Sequence, residues 1–177
     1  MSRFLDVNQK AFLDDNATIY ETLVKISRDN GNYNAYYTTG SIDVTPTVGA
    51  DTAGLTFVAN NMIKSIDNIP EKTLGTSIRV GMVLTGDFTQ PMLNLGGPTP
   101  FELLNIDTEV TLWRGYRNVS GNDFWVYSSI KLFQGVLTKK TYSAGNTFNE
   151  MQLEFISKTQ FAKKTSPITV LKGQGAR

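Results

Sequence analysis

Among its 177 residues the chain has no cysteine and no histidine. The first absence excludes a disulfide framework, a thiolate zinc site, an iron–sulfur cluster and a cysteine nucleophile. The second excludes a Ser-His-Asp triad, a histidine-based zinc protease and any imidazole acid or base. No run approaches the ~18 uninterrupted apolar residues of a membrane-spanning helix. The opening residues, Met1 to Asp6, lack the apolar stretch of a signal peptide, so a chain made and kept in a cytosol is expected. Charge of one sign is also missing: 17 Lys+Arg stand against 16 Asp+Glu, a net of +1. That balance argues against nucleic acid as the primary partner, because such binders usually present a broad basic surface.

What is present favours strands. A hydrophobic fraction of 40% supports a core. Threonine is frequent and is accompanied by Tyr, Phe, Val and Ile, residues that suit a pleated, half-buried surface. Period-2 alternation recurs along the chain and helical periodicity does not. Thr18 to Ser27 alternates, with Tyr20, Thr22, Val24 and Ile26 on one face and Ile19, Glu21, Leu23 and Lys25 on the other. Asn30-Gly31 then marks a turn, and Tyr33 to Thr38 returns as a hairpin partner. Gly40 to Ala53 reads as a loop with one short strand at Ser41–Val44, followed by a strand at Leu55–Ala59. Asn60 to Ile69 fits either one or two helical turns or continued strand. Ser77 to Thr85 alternates strongly, with Ile78, Val80, Met82 and Leu84 sharing a face.

The second half is more regular. Thr108 to Tyr116 places Val110, Leu112 and Arg114 opposite Glu109, Thr111 and Trp113. Phe124 to Lys140 reads as one long strand, or as two meeting at Gln134-Gly135, since a glycine within a strand often marks a bulge or barrel corner. Ser143 to Asn146 is a tight connection. Phe148 to Ser157 pairs back, with Asn149, Met151, Leu153 and Phe155 as its core face. The expectation is an all-β, mainly antiparallel barrel or sandwich of about eight to ten strands, with a long Pro/Gly loop and extended termini. Residues 17–157 form the domain, residues 1–16 an N-terminal arm and residues 158–177 a basic C-terminal arm.

Candidate chemistry is sparse. Asp107 and Glu109 can share a strand face, but exposed strand-start carboxylates explain them as well. Asp29 to Gly40 lacks the glycine and glutamate positions of a calcium loop. Leu95-Gly96-Gly97-Pro98 is followed by no Lys-Ser/Thr, so no phosphate cradle is indicated. Ser129 and Lys131 share a strand face, as chance allows in many sequences. Trp113-Arg114-Gly115-Tyr116-Arg117 interleaves aromatic and basic residues in the manner of a stacking platform, against which stands a buried Trp113 with Arg114 at a rim. No catalytic constellation emerges, so a non-enzymatic protein with no cofactor and no metal is expected.

The termini offer more. Residues 155–177 hold Lys158, Lys163, Lys164, Lys172 and Arg177 and no acid, which leaves −4 on residues 1–154. Within that basic stretch Phe161, Ile168, Val170 and Leu171 are apolar, and Ile168-Thr-Val-Leu171 has the make-up of a strand that adds to a neighbour's edge.

Three strings, Thr108-Glu-Val-Thr-Leu-Trp-Arg-Gly-Tyr116, Lys131-Leu-Phe-Gln-Gly-Val-Leu137 and Glu150-Met-Gln-Leu-Glu-Phe-Ile-Ser-Lys-Thr159, resemble β-barrel modules of bacteriophage tail proteins from the distal-tail and baseplate-hub region. The resemblance covers less than a third of the chain. It implies a structural virion protein, assembled in the host cytoplasm, that forms a homo-oligomeric ring and joins other tail or baseplate proteins, with no membrane partner. On that reading the partner-binding residues are Phe161, Lys163, Lys164, Ile168, Val170 and Leu171. The loop from Thr89 to Pro100, with Pro91 and Pro98, ranks second, and Phe4, Leu5, Phe12 and Leu13 of the N-terminal arm rank third. The competing class is a carbohydrate- or ligand-binding β-sandwich in which Trp113, Tyr116, Trp125 and Tyr127 form an aromatic platform.

Overall fold

The computed structural model describes residues 18–28, 33–47, 49, 51–59, 62–69, 78–88, 104–105, 107–118, 127–144 and 149–158. Eight strands are found there: β1 (Thr18–Arg28), β2 (Tyr33–Thr38), β3 (Val58–Ala59), β4 (Ile63–Ile66), β5 (Arg79–Gly86), β6 (Glu109–Asn118), β7 (Tyr127–Ala144) and β8 (Asn149–Ser157). They form one sheet in the order β3-β2-β1-β6-β7-β8-β5-β4. Every pair is antiparallel except β2 with β3. The all-β expectation holds, and the described residues alone supply eight of the expected eight to ten strands.

The strand order shows why the sheet curls. β3 and β4 are consecutive in sequence yet occupy opposite ends of the sheet. Eight strands laid flat would separate them by about 34 Å, at ~4.8 Å per spacing. The chain between Ala59 and Ile63 spans at most about 14 Å even when fully extended. The ends must therefore approach each other, and the sheet bends into a half-barrel. Among the described residues β3 and β4 share no ladder.

The concave face holds the main core. Val24 and Ile26 of β1, Tyr37 of β2, Val80, Met82 and Leu84 of β5, Val110 and Leu112 of β6, and Met151, Leu153 and Phe155 of β8 are all buried in one cluster. Register explains the grouping, because directly paired residues share a face. Val24 lies opposite both Tyr37 and Leu112, and Met82 lies opposite Leu153. Each such side chain contributes roughly 1.5–3 kcal/mol on burial.

The convex face is not uniformly wet, and here the alternation seen in sequence gives only half the picture. Leu23 and Glu21 of β1 and Trp113 of β6 point away from the main core yet are buried. The segment from Gly40 to Phe57 folds back over them. Its two arms meet in an isolated antiparallel bridge between Val44 and Phe57, in place of the strand expected at Ser41–Val44. The expected strand at Leu55–Ala59 is reduced to that bridge plus β3. Leu23, Val44, Phe57 and Trp113 form a second, smaller cluster. In it Phe57 makes edge-to-face contacts with Tyr36 at 5.5 Å and Trp113 at 6.1 Å. The turn below the bridge uses Gly54 at φ 75°, a conformation that glycine alone adopts without strain.

The ambiguous segment at Asn60–Ile69 contains β4, a strand, with Ile63 and Ile66 packed against the main core. β7 is one continuous strand of 18 residues, running to Ala144 where the sequence reading ended it at Lys140.

Candidate assembly surface

β7 changes partners along its length. Tyr127 to Val136 pair with β6, and Gly135 to Ala144 pair with β8. The two ladders overlap only at Gly135 and Val136. Bulges sit on either side of the hand-over, at Leu112/Trp113 and at Leu137/Lys139. Such irregularities bend a strand and raise its twist, as barrel corners require. Gly135 lies at the crossing, and a Cβ there would meet the Ile156 carbonyl oxygen at 2.5 Å. The glycine is needed because a neighbouring backbone passes where a side chain would begin.

The stagger exposes backbone. Among the described residues no strand pairs with Tyr127–Gln134 on the side that β8 takes further along. Half of the N–H and C=O groups of that stretch face outward from the ladder, the arrangement that templates addition of another strand. β8 ends at Ser157, directly opposite Gly135, where this open edge begins. At Lys158 the chain leaves strand geometry, and its ammonium donates to Glu109 of β6 at 2.7 Å.

A second surface lies on the convex side of β5, β8 and β7. It is a shallow groove of about 280 Å³ lined by Asp67, Arg79, Lys139, Thr141, Gln152 and Glu154, among others. Gly81 forms part of its floor and donates its N–H to the Asp67 carboxylate at 2.9 Å. Arg79 pairs with Glu154 at 2.8 Å. Two acids and two bases balance there, so the groove has no net preference for an anion or a cation. On the opposite face Lys140 lies in register with Leu153, in the row that continues to Met82, and partial burial there holds its ammonium pKa below the usual lysine range.

The remaining polar feature is buried. The Glu21 carboxylate accepts a hydrogen bond from the Thr38 hydroxyl at 2.9 Å, and that hydroxyl accepts one from the Gly40 N–H at 3.1 Å. Glycines at 40 and 115 make room for the acid: Gly115 lies opposite Glu21 in β6, and a Cβ at Gly40 would overlap its carboxylate. The arrangement ties the start of the covering segment to β1. Thr38→Val keeps the shape but removes one hydrogen bond from the carboxylate and the acceptor of the Gly40 N–H, and it is expected to cost about 1–2 kcal/mol, read as a lower urea midpoint at unchanged slope.

The candidates from sequence fare unequally. Asp107 and Glu109 each hold a cation: Arg28 at 3.7 Å and Lys158 at 2.7 Å. Lys131 pairs with Asp51 at 2.7 Å, which ties β7 to the covering segment. Trp113 is 4% exposed, so it cannot stack on a ligand and the aromatic platform loses that member. Its neighbour Arg114 is exposed and lies 5.5 Å from the Tyr20 ring. Trp125 and the side chains of Tyr116 and Tyr127 lie outside the described residues. So do Phe161, Lys163, Lys164, Ile168, Val170, Leu171, Pro91, Pro98, Phe4, Leu5, Phe12 and Leu13. The open edge of β7 was missed in sequence because the alternation of Phe124–Lys140 gives no sign of which strand flanks which half. The one hint was Gly135.

No protein-family profile and no curated protein sequence matches the chain. Among solved structures, one chain of the Francisella PdpA–VgrG complex in its lidded form is similar, with a TM-score of 0.39 and 12% identity. The similarity covers 88% of this chain and 18% of that one.

Proposed function

We propose that this chain is a structural subunit of a phage tail or baseplate, built into the virion as a ring and working by contact geometry, not by catalysis. The observation that supports the reading is the staggered β7, which, among the described residues, has no strand beside Tyr127–Gln134 on the β8 side. An isolated subunit with such an edge risks uncontrolled association, and a closed ring converts the same edge into a defined interface. The tail-module resemblance of residues 108–157 falls on β6, β7 and β8, the strands that create the stagger. Charge points the same way: a body of −4 and an arm of +5 favour head-to-tail approach of identical chains.

The full chain is expected to be a multimer by light scattering, and rings are expected in electron micrographs. Removing residues 159–177 is expected to leave the far-UV spectrum and thermal transition in place while reducing the species to a monomer. A truncated chain that assembles as before would remove the arm from the interface.

A further inference from the structure

We propose that the groove on the convex face of β5, β8 and β7 is a binding site for a neutral glycan. The inference goes beyond the ring reading and does not depend on it.

Register lays out the site. On the convex side Gly81 of β5, Glu154 of β8 and Lys139 of β7 form one row across the three strands, and Val83, Gln152 and Thr141 form the next. At ~4.8 Å between strands and ~3.4 Å per residue, the two rows cover an area of roughly 10 by 7 Å. The hollow above them is about 280 Å³, near the lower end of the ~300–1,000 Å³ usual for small-molecule sites.

Gly81 creates the hollow. A glycine inside a strand weakens it, and often marks the close approach of a ligand or of another backbone. At Gly81 the protein itself brings up only a side chain: an added Cβ would lie 2.4 Å from an Asp67 carboxylate oxygen. That carboxylate is fixed in place. Its Oδ2 accepts the Gly81 N–H at 2.9 Å, and the Asp67 N–H donates back to the Gly81 carbonyl oxygen at 2.9 Å. Asp67 thus offers a pre-oriented acceptor at one end of the first row, and Lys139 offers a donor at the other.

The polar groups left over define the ligand. Arg79 is engaged with Glu154 at 2.8 Å. Among the described residues the side chains of Lys139, Thr141 and Gln152 have no hydrogen-bond or ion-pair partner, and neither does Asp67 Oδ1. Thr141 and Gln152 lie directly opposite each other and do not bond. The open set is an ammonium, a hydroxyl, an amide and a carboxylate oxygen, donors and acceptors side by side with no excess charge. An anion would meet Asp67 and Glu154, and a cation would meet Arg79 and Lys139, so neither kind of ion is favoured. A sugar hydroxyl suits the set because one oxygen both donates and accepts. Neighbouring hydroxyls on one ring can donate to Asp67 and accept from Lys139 or Gln152, while the half-buried Val83 gives the ring's C–H groups an apolar floor.

Saturation-transfer NMR on the full chain reads weak binding at any assembly size. Cellotriose, maltotriose and chitotriose are the probes. Transfer to at least one of them is expected, with an affinity that holds when sodium chloride is raised from about 0.1 to about 1 M, because the ligand is uncharged. Gln152→Ala and Lys139→Ala, both at exposed positions, are each expected to weaken that binding roughly tenfold and to leave the circular dichroism unchanged. Lys64→Ala, which removes an ion pair with Glu150 outside the groove, is expected to leave binding unchanged. Absence of transfer to all three probes would overturn the assignment. So would binding that both groove variants retain in full, or binding confined to trigalacturonate and lost at high salt. Ring formation is read separately by light scattering, so the failure of either reading leaves the other standing.

Discussion

Replacing Gly135 by alanine is expected to destabilise the fold by about 3 kcal/mol or more, enough to leave a substantial unfolded population in a domain of ordinary stability. The position sits where β7 leaves β6 and joins β8, and both ladders meet there. A Cβ would lie 2.5 Å from the Ile156 carbonyl oxygen and 2.5 Å from the Phe133 ring. The oxygen is backbone on β8, locked in register with Val136, so it cannot swing aside as a side chain would. The Phe133 ring is buried in the main core, so relief in that direction disturbs packing. The strain falls on the hand-over and would open one ladder or the other. The measurement is urea unfolding followed by circular dichroism. A midpoint within error of the parent would show that the two strands are not held as closely as described. Gly54→Ala is a useful contrast: no atom lies within 4 Å of its Cβ, so any cost there reflects backbone strain alone.

The second large effect appears at alkaline pH. Tyr37 is fully buried in the main core, and removal of its phenol from water pushes its pKa well above the ordinary value of 10.0. In the unfolded chain the phenol ionises near pH 10, whereas in the folded chain it keeps its proton. Above pH 10 the unfolded state therefore binds fewer protons than the folded one, and stability falls as pH rises. The contribution is fully present below pH 10. It is then lost with rising pH, at a slope of up to about 1.4 kcal/mol per pH unit. Tyr37→Phe is expected to remove this slope. Relative to the parent, the Phe variant would gain stability as alkalinity increases above pH 10. Urea midpoints for the pair between pH 9 and 12 test the point, and parallel curves would refute it.

How much of this was legible in the sequence depends on distance along the chain. β5 and β8 are plain because their own side chains alternate: Ile78, Val80, Met82 and Leu84 form one face, and Met151, Leu153 and Phe155 another. The β1–β2 hairpin was readable from Asn30-Gly31 between two alternating runs. What the sequence could not display was anything decided by a remote segment. Burial of Trp113 with Arg114 at the rim is readable locally, but that Glu21 and Leu23 are covered shows only when the Gly40–Phe57 segment is laid over them. The parallel pairing of β2 with β3 and the assignment of β3 and β4 to opposite ends depend on closure of the whole sheet. The candidate edge is of the same kind. Each half of β7 has strand-like residues, and only the registers of β6 and β8 show that the halves have different neighbours.

The link between β3 and β4 has a mechanical consequence. The two ends of the sheet are joined by three residues of covalent chain, Asn60 to Met62, and by no described hydrogen-bond ladder. The aperture of the half-barrel is thus bounded by the length of that link as well as by the core that both ends share. Each residue inserted there would allow the rims to part by up to about 3.5 Å. Conversely, cutting the link and rejoining the chain elsewhere would sever no described ladder. A sheet whose opening is bounded by one short stretch of chain can take a wider radius when that stretch alone is lengthened.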